Sequence, residues 1–425
     1  MSLALLGGSP VRSNPYPNWP IFDETDVEAV AAVVRSGEWG RLGSHRVIAF
    51  EREFAAAQGG AYCLAVNSGT SALEMGLAAL HLPKGSEVIL SPFTFMASAT
   101  SILNAGLVPV FVDIDPETYN LNPALVESAI NPRTSAIMAV HFGGLACDMQ
   151  TLLDIASTYR LRIVEDAAHA HGGQWNNRGL GAIGDVGCFS FQASKNLNAG
   201  EGGAVLTNDR DIFSRAIEQH DLWAGGVLER GGQLGRGSLR TSEGWDFPVS
   251  AGDRRITPMQ VALLQVQLSR METQADQRAA NGEYLNGLLD DLPGIGVRQI
   301  DSFATRPAHH VYIFRYDPSE FSRVSRKRFI EAMNAEGIPV TAGYRQPLHQ
   351  TSLFTNRDDA LARAWPRNDG IPDIDYTNTS CPEAERLCDD ETVFLTQNVL
   401  LGDQHGMTQI ADAIEKIRQH ATSLL

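Results

Sequence analysis

Short apolar runs alternate with longer amphipathic runs between residues 61 and 207. The apolar runs are rich in Val, Ile and Leu, and their sequences are AYCLAVNS, SEVILSP, LVPVFVDID, TSAIMAVHF, LRIVEDAA, GCFSFQ and GGAVLTN. Between the first five lie runs whose apolar residues follow helical spacing: GTSALEMGLAALHL, TFMASATSILNAG, NPALVESAI and DMQTLLDIASTYR. Strands that are apolar throughout are typical of a parallel sheet with helices on both faces. The pattern therefore predicts an α/β fold with a mostly parallel central sheet.

Helical patterns also flank this region. DETDVEAVAAVVRSG follows an irregular, proline-rich arm, and its Asp and Thr at the start and Gly37 at the end are typical helix boundaries. The stretch TPMQVALLQVQLSRMETQADQRAANGEYLNGLL predicts one long helix. Beyond it the pattern changes to a strand, VYIFRY, and to helices near SRKRFIEAMNAEG and DQHGMTQIADAIEKIRQH. We therefore predict an N-terminal arm and large domain over residues 1–285 and a small C-terminal α+β domain over residues 286–425.

Composition narrows the classes of function. The chain has 425 residues and a formal net charge of −16, which disfavours binding to a nucleic-acid backbone. Its start, MSLALLGGSPVR, does not resemble a signal peptide, and no apolar run approaches the roughly 18 residues that span a bilayer. The five cysteines are scattered and form no C-x-x-C pair, so we expect neither a metal site nor a disulfide framework. We expect a cytoplasmic protein that binds neither nucleic acid nor membranes.

One lysine stands out in a chain whose positive charge is nearly all arginine. The only lysines are Lys84, Lys195, Lys327 and Lys416, and Lys195 lies between a strand-like run and a glycine cluster in CFSFQASKNLNAGEGG. Covalent chemistry on a carbonyl group requires an amine that can lose its proton, which arginine cannot provide. Burial and neighbouring positive charge make such an amine nucleophilic. The alternative is an ordinary lysine in a surface turn.

A second motif follows the first predicted strand. In NSGTSA a small polar turn leads into a helix, and Gly69 allows close approach to the backbone. Free N–H groups at a helix start favour an anion such as phosphate, although Ser68 or Thr70 could also be a plain helix cap. Ser190, five residues before Lys195, could add its hydroxyl to a phosphate site. Phe95 lies at another strand-to-helix junction, where its ring could stack on a flat ligand or pack in the core.

The third motif is VEDAAHAH, at the end of another predicted strand. Asp166 is either a solvated strand end or a fixed anion that keeps the ring nitrogen of a pyridine ligand protonated. Ala167 and Ala168 leave room for a flat ring, and His169 could donate to a ring oxygen or have a structural role. Ligands of open α/β sheets bind at the carboxyl ends of the strands. A phosphate site, a ring-nitrogen acid and a lysine in this order predict a pocket for pyridoxal 5'-phosphate.

These residues resemble the fold-type I pyridoxal phosphate enzymes, and in detail the DegT/StrS-type sugar and cyclitol aminotransferases. The segments that carry the resemblance are GGSPVR, FEREFAA, AVNSGTSAL, SPFTFMASA, PVFVDIDPETYNL, VEDAAHAHG, SFQASKNLNAGEGGAVLTND, RRITPMQVALLQVQL and YRQPLH. The resemblance implies that Lys195 is the Schiff-base lysine and proton shuttle and that Asp166 pairs with the pyridine nitrogen. It also implies cofactor contacts for a set of further residues: Gly69, Thr70 and Ser190 at the phosphate, Phe95 as the stacking ring, and His169 at the ring hydroxyl.

The resemblance implies a homodimer whose active sites lie at the interface. The family usually has an Asn-Tyr-Arg-Met run before the long helix, and its Asn reaches the phosphate of the other subunit. Here the run is Asp253-Arg254-Arg255-Ile256, and a carboxylate would repel a phosphate. Either Arg254 or Arg255 takes over that contact, or the alignment shifts locally. Lysine at position 195 also separates the chain from family relatives that have histidine there and act as dehydratases.

The resemblance is greatest to the inosose, or cyclitol, aminotransferase branch. We therefore expect an aminotransferase that moves an amino group from L-glutamine or L-glutamate to a keto-sugar or keto-cyclitol, in aminoglycoside or secondary-metabolite biosynthesis. An aminohydroxybenzoate synthase type of lyase is the alternative within this enzyme class. A pyridoxal-binding regulator would need a DNA-binding module, for which the chain has no basic segment. Candidates for contact with the substrate are His309, His310, Arg345, His349 and Trp223.

Overall fold

The computed structural model describes residues 2–42, 44–220, 252–356 and 375–425, together with four two-residue strands between 228 and 245. The α-helices in these ranges are α1 (Glu24–Ser36), α2 (His45–Gln58), α3 (Gly69–Ala79), α4 (Met96–Asn104), α5 (Pro123–Ala129), α6 (Met149–Tyr159), α7 (Arg210–His220), α8 (Pro258–Leu289), α9 (Arg326–Ala335), α10 (Ser352–Thr355), α11 (Pro382–Arg386) and α12 (Gln404–Gln419). The strands are β1 (Tyr62–Val66), β2 (Glu87–Leu90), β3 (Val108–Phe111), β4 (Thr134–Val140), β5 (Arg162–Asp166), β6 (Gln174–Trp175), β7 (Arg178–Gly179), β8 (Val186–Ser190), β9 (Gly203–Thr207), β10 (Leu228–Glu229), β11 (Gln233–Leu234), β12 (Arg240–Thr241), β13 (Gly244–Trp245), β14 (Ile295–Val297), β15 (Ala304–Arg306), β16 (Val311–Tyr316), β17 (Val340–Thr341) and β18 (Thr392–Thr396).

A seven-stranded sheet in the order β1-β9-β8-β5-β4-β2-β3 forms the centre of the molecule. Strands β8, β5, β4, β2 and β3 pair in parallel with their neighbours, whereas β9 runs antiparallel to both β1 and β8. Since β1 and β8 therefore point in the same direction, the carboxyl ends of β1, β8, β5, β4 and β2 lie at one edge. The predicted mostly parallel α/β sheet is confirmed.

Alternate residues of each strand pack on opposite faces of this sheet. On β1, Leu64 and Val66 belong to one core cluster, whereas Cys63 and Ala65 belong to the other. Because successive strand side chains point to opposite faces, a strand that is apolar throughout fills both layers. This explains why the predicted strands have almost no polar interruptions.

The helix boundaries follow the capping residues of the sequence. Asp23 accepts a hydrogen bond from the Thr25 N–H, and Asp26 accepts one from the Asp23 N–H, which completes a capping box at α1. Gly37 ends the helix with a left-handed φ of 72°, which glycine adopts without steric cost. Thr257 and Gln260 form the same kind of box at the start of the long helix α8. The predicted first and long helices are confirmed.

The C-terminal part contains a second, smaller sheet. Its four strands have the order β14-β16-β18-β17 and are all antiparallel. Helices α9 and α12 contribute Phe329, Ile410 and Ile414 to the core beneath it. The proposed boundary between residues 285 and 286 falls within α8 and stays a prediction.

Three further properties bear on function. All five cysteines lie among the described residues, and each is a buried free thiol. The described ranges contain no group of three or more His, Cys, Asp or Glu side chains arranged to hold a metal ion. No helix within them combines the length and the apolar character needed to cross a membrane.

Candidate active site

The predicted site residues follow strands that end at one edge of the central sheet. Gly69 and Thr70 follow β1, Phe95 follows β2, Asp166 ends β5, and Ser190 ends β8. Lys195 lies in the loop that joins β8 to β9. The fold thus brings these residues, which are distant in sequence, to a common edge.

The turn after β1 has the properties of an anion cup. The Ser68 hydroxyl accepts a hydrogen bond from the Ser71 N–H and caps α3. Within the described residues, the N–H groups of Gly69 and Thr70 have no acceptor, as expected for the first turn of a helix. A Cβ added at Gly69 would lie 2.6 Å from the Ser190 Cβ, so only glycine lets the Ser190 hydroxyl approach these N–H groups.

Asp166 is buried, with 6% of its surface exposed, which excludes a solvated strand end. Its carboxylate accepts hydrogen bonds from the Ser98 hydroxyl at 2.7 Å and from the Ala168 N–H at 3.2 Å. Burial raises the pKa of Asp166 above its ordinary value, while these two hydrogen bonds and the positive charge of Lys195 act in the opposite direction. A cation or a protonated ring nitrogen beside this carboxylate would stabilise its charged form.

Ser98 is a site residue that the sequence reasoning missed. It lies on the first turn of α4 and is fully buried, and its hydroxyl also lies 2.9 Å from that of Thr94. Because Asp166 can only accept while ionised, Ser98 donates to it, and Thr94 donates to Ser98. The four-residue spacing of two hydroxyls at a helix start was the available signal, but nothing in the sequence connects them to Asp166.

Glu165, the residue before Asp166, is held in place by several hydrogen bonds. Glu165 is fully buried and lies 2.9 Å from the His141 Nε2. Its oxygens also accept hydrogen bonds from backbone N–H groups of the loop after β7, those of Gly181, Ile183 and Gly184. Burial opposes the ionisation of Glu165, but the hydrogen bonds outweigh it and lower its pKa. The backbone N–H of His141 donates to the Asp166 carbonyl, which ties the end of β4 to the end of β5.

Lys195 is partly buried, and among the described residues its ammonium group has no hydrogen-bond partner. Burial lowers the pKa of Lys195 from its ordinary value of 10.5 to about 8, and the charge of Asp166 acts in the opposite direction. At neutral pH a useful fraction of Lys195 is therefore a neutral, nucleophilic amine.

His169 faces the same pocket. Its Nδ1 accepts a hydrogen bond from the Gly143 N–H at 3.2 Å, so its proton is on Nε2. Burial, followed by the charge of Lys195, lowers the pKa of His169 well below its ordinary value. The ring therefore stays neutral and presents an Nε2–H donor.

A group of aromatic rings borders His169. The Phe142 ring lies 5.6 Å from that of His169, and the Tyr344 ring lies 5.7 Å from that of Phe142. Burial, and then the charge of Asp166, raises the pKa of the Tyr344 hydroxyl above its ordinary value. Tyr344, which the sequence reasoning did not select, therefore belongs to the surroundings of the site.

The Phe95 side chain is 61% exposed, which excludes the alternative of core packing. Its carbonyl oxygen accepts a hydrogen bond from the Ser98 N–H at 3.1 Å. Phe95 therefore lies one helical turn from the residue that contacts Asp166, at the open side of the site.

Asp253 does not carry a free charge. Its carboxylate is paired with the Arg255 guanidinium, whose Nε lies 2.7 Å from Oδ1, and this pairing lowers the pKa of Asp253. The Asn67 N–H donates to the Arg254 carbonyl at 2.8 Å, so this run lies beside the end of β1, next to the anion cup. The repulsion expected between Asp253 and a phosphate is thereby reduced.

The residues predicted to contact the substrate lie in different parts of the structure. His310 lies at the site, with its ring 4.3 Å from that of His169. His309 packs against α8, where a Cβ added at Gly282 would lie 2.3 Å from its Nε2. His349 is buried and bonded to Glu385 at 2.9 Å, while Arg345 is exposed. Trp223 lies outside the described residues.

The donor set fits pyridoxal phosphate. Gly69 leaves the backbone at the start of α3 open, where a Cβ would collide with Ser190, and this cradle suits a phosphate. Asp166 is a buried carboxylate without an ion-pair partner among the described residues, as a protonated pyridine nitrogen requires. Lys195 supplies an amine whose pKa is about 8.

Comparisons with known proteins agree with this arrangement. Residues 20–391 match the model of the DegT/DnrJ/EryC1/StrS aminotransferase family. A protein of Streptoalloteichus tenebrarius with the provisional name L-glutamine:3-amino-2,3-dideoxy-scyllo-inosose aminotransferase is 36% identical over 433 residues, covering 99% of both chains. L-glutamine:2-deoxy-scyllo-inosose aminotransferase of the same organism is 34% identical over 427 residues, covering 98% of both. The crystal structure of 3-amino-5-hydroxybenzoic acid synthase superposes with a TM-score of 0.80 at 30% identity, covering 96% of this chain and 100% of that one.

Proposed function

The chain belongs to the DegT/DnrJ/EryC1/StrS aminotransferase family of pyridoxal phosphate-dependent enzymes, and on that premise we propose that it aminates the ketone group of a sugar or a cyclitol. The donor is an amino acid, L-glutamine or L-glutamate, and the acceptor is a keto-sugar or keto-cyclitol such as an inosose. The observation that carries this proposal is the placement of an amine with a lowered pKa, Lys195, in the same pocket as the buried carboxylate of Asp166.

The cofactor supplies the difficult chemistry, since its aldehyde takes up the amino group and its protonated ring withdraws electrons from the reacting carbon. Asp166 holds the proton at the ring nitrogen, because a buried carboxylate gains stability from an adjacent positive charge. Ser98 fixes the orientation of that carboxylate through its hydroxyl, which donates to it at 2.7 Å.

Lys195 acts as the general acid and base. With its Nζ free, Lys195 would take up the proton released from the α-carbon of the amino-acid donor and hold it for the return transfer. A base with a pKa near the working pH is the most efficient choice for such transfers. The pKa of about 8 places Lys195 in that range.

The remaining predicted residues bind the cofactor in this proposal. Gly69 and Thr70 donate backbone N–H groups to the phosphate, and Ser190 adds its hydroxyl. His169 donates its Nε2–H to the ring oxygen. The ring of Phe95, which is 61% exposed, would stack on the cofactor ring.

Two relatives support the substrate class. Both carry names that specify L-glutamine as donor and an inosose as acceptor, and both align with this chain over nearly its whole length. We therefore propose a role in aminoglycoside or related secondary-metabolite biosynthesis.

We further propose that the enzyme is a homodimer. The described N-terminal region leaves large apolar side chains exposed, as a buried interface between two copies requires: Phe22 (69%), Trp39 (56%) and Leu42 (61%). Light scattering in solution tests this.

One alternative function is favoured by a specific observation. The similarity in fold and sequence to 3-amino-5-hydroxybenzoic acid synthase covers nearly the whole chain. A lyase or synthase of that type would use the same Lys195 and Asp166 but would form its product without an amine donor.

The visible spectrum tests these proposals. The purified protein with pyridoxal phosphate should be yellow, and Lys195→Ala should abolish the band. L-glutamine or L-glutamate, added separately, should convert the band to that of the aminated cofactor, which also identifies the donor. A band that persists with both donors, while a ketone acceptor is consumed without them, would support the synthase instead. Failure of the wild-type protein to bind the cofactor would overturn the whole assignment.

A further inference from the structure

In the loop that carries Lys195, backbone hydrogen bonds join the two strands of chain at the base but not at the tip. Backbone hydrogen bonds join Ala199 to Phe191 at 3.0 Å and Ala193 to Gly200 at 2.9 Å. At the tip, the Lys195 N–H donates to the Gln192 carbonyl and the Lys195 carbonyl accepts a hydrogen bond from the Asn198 Nδ2 at 3.3 Å, and both partners lie within the same loop. The direction of the Lys195 side chain therefore depends on what holds the residues beside it.

Asn196, the next residue, is held by a distant segment. Its side chain is buried, its Nδ2 donates to the Ala308 carbonyl at 2.8 Å, and its Oδ1 lies 3.3 Å from the His310 Nδ1. Because the amide nitrogen already donates to a carbonyl, Oδ1 is the acceptor, and His310 carries its proton on Nδ1. The Ala308 N–H in turn donates to the Gly144 carbonyl at 2.8 Å.

The His310 ring packs against the ring of His169, the other histidine of the pocket. The rings of His310 and His169 lie 4.3 Å apart at an angle of 38°. His169 has its proton on Nε2, so the two rings are held as opposite tautomers by Gly143 and Asn196. Burial, and then the neighbouring His169 and Lys195, lowers the pKa of His310 well below its ordinary value, so this ring is neutral.

We propose that His310 and Asn196 are positioning residues: the Ala308 carbonyl and the His310 ring hold Asn196, and so fix both Lys195 and His169 in the geometry of catalysis. The inference rests on the proposed function, because it assigns to these residues the task of aiming the Lys195 amine. His310 contacts Asn196 in the loop and the His169 ring, whereas the reacting amine belongs to Lys195.

The consequence concerns the access of Lys195 to water. The pKa of Lys195 is low because the side chain is buried, and Asp166 opposes that effect. A loop tip that has lost the His310 donor is held at Asn196 by the Ala308 carbonyl alone, and this looser tip lets the ammonium group reach solvent, which moves its pKa back towards its ordinary value of 10.5. A rise of about one unit makes the free amine about tenfold scarcer at neutral pH.

Two variants of His310 separate its two contacts. His310→Phe keeps a ring against His169 but removes the donor to Asn196. His310→Asn keeps the donor, because Asn Nδ2 and His Nδ1 are both bonded to Cγ, but removes the ring. The matched control is His309→Asn, because His309 is also buried, neither of its ring nitrogens has a partner among the described residues, and its φ of 44° suits Asn.

The measurement is the rate at which the apoprotein takes up pyridoxal phosphate covalently, followed by the visible band at several pH values. Only the neutral amine attacks the aldehyde, so the midpoint of the rate profile reports the pKa of Lys195. We expect a midpoint near 8 for the wild-type protein, His309→Asn and His310→Asn, and for His310→Phe a midpoint about one unit higher with uptake at neutral pH about tenfold slower. Thermal unfolding of each apoprotein checks that the fold is intact.

Equal midpoints for His310→Phe and the wild-type protein would overturn the inference and leave the proposed function standing. An equal shift in His309→Asn and His310→Phe would also overturn it, because loss of packing would then explain both. If the wild-type protein itself fails to take up pyridoxal phosphate, the proposed function is wrong, and the inference that rests on it is wrong as well.

Discussion

The Ser98→Ala substitution tests the electrostatics of the site most directly. The Ser98 hydroxyl donates to the Asp166 carboxylate at 2.7 Å, and the two side chains are 0% and 6% exposed. Hydrogen bonds to buried charged groups contribute about 1.5–3 kcal/mol, and this one has the short length typical of a charged acceptor. Removing it should cost about 2 kcal/mol of the stabilisation of ionised Asp166, which raises the pKa of Asp166 further, and where the apoprotein then carries the neutral acid the affinity for pyridoxal phosphate falls by up to roughly 30-fold.

The assay is titration of the apoprotein with pyridoxal phosphate at fixed pH, followed by absorbance. Ser98→Thr should restore the affinity, since threonine keeps the hydroxyl. Ser101→Ala is the matched control, because Ser101 is also fully buried on α4 but its hydroxyl donates to the Ser98 carbonyl at 3.0 Å. The reasoning is refuted if Ser98→Ala and Ser101→Ala have the same dissociation constant.

Two further predictions concern substitutions at Asp166 and Gly69. Asp166→Asn should raise the unfolding temperature of the apoprotein at neutral pH while weakening cofactor binding, because burial raises the pKa of Asp166 and so disfavours the folded state whenever this acid is ionised. The difference in unfolding temperature should vanish as the pH falls below the unfolded-state pKa of the acid, and an apoprotein that Asp166→Asn destabilises would contradict this account. Gly69→Ala should weaken cofactor binding at least tenfold, since its Cβ would lie 2.6 Å from the Ser190 Cβ. Gly287→Ala, on α8 with no atom within 4 Å of the added Cβ, should leave binding unchanged and stabilise the fold by about 1 kcal/mol, as calorimetry would show.

The sequence by itself determined which runs are strands of a mostly parallel sheet that is covered on both faces. Runs such as SEVILSP and TSAIMAVHF have to be strands buried on both faces, because their apolar residues leave no polar face for solvent. The capping residues around α1 and α8 likewise predicted where these helices begin. Both signals are local, since they depend on spacings of a few residues.

The sequence also placed Gly69, Asp166 and Lys195 at the carboxyl ends of strands, where α/β proteins bind ligands. That prediction required only the order of the elements and the rule that parallel strands end at one edge. It did not require knowledge of which strands are neighbours.

Contacts between distant residues were decided by the tertiary structure alone. The sequence offered His310 and His349 equally as candidates for substrate contact. In the structure His310 lies against His169, whereas His349 is hydrogen-bonded to Glu385. Ser98 meets Asp166 only because the turn after β2 passes the end of β5, two strands away in the sheet. The hydrophobic pattern fixes the period of each element, but it does not encode the order of the strands or the path of the loops. The pairing of side chains across the site therefore appears only once all the elements are packed together.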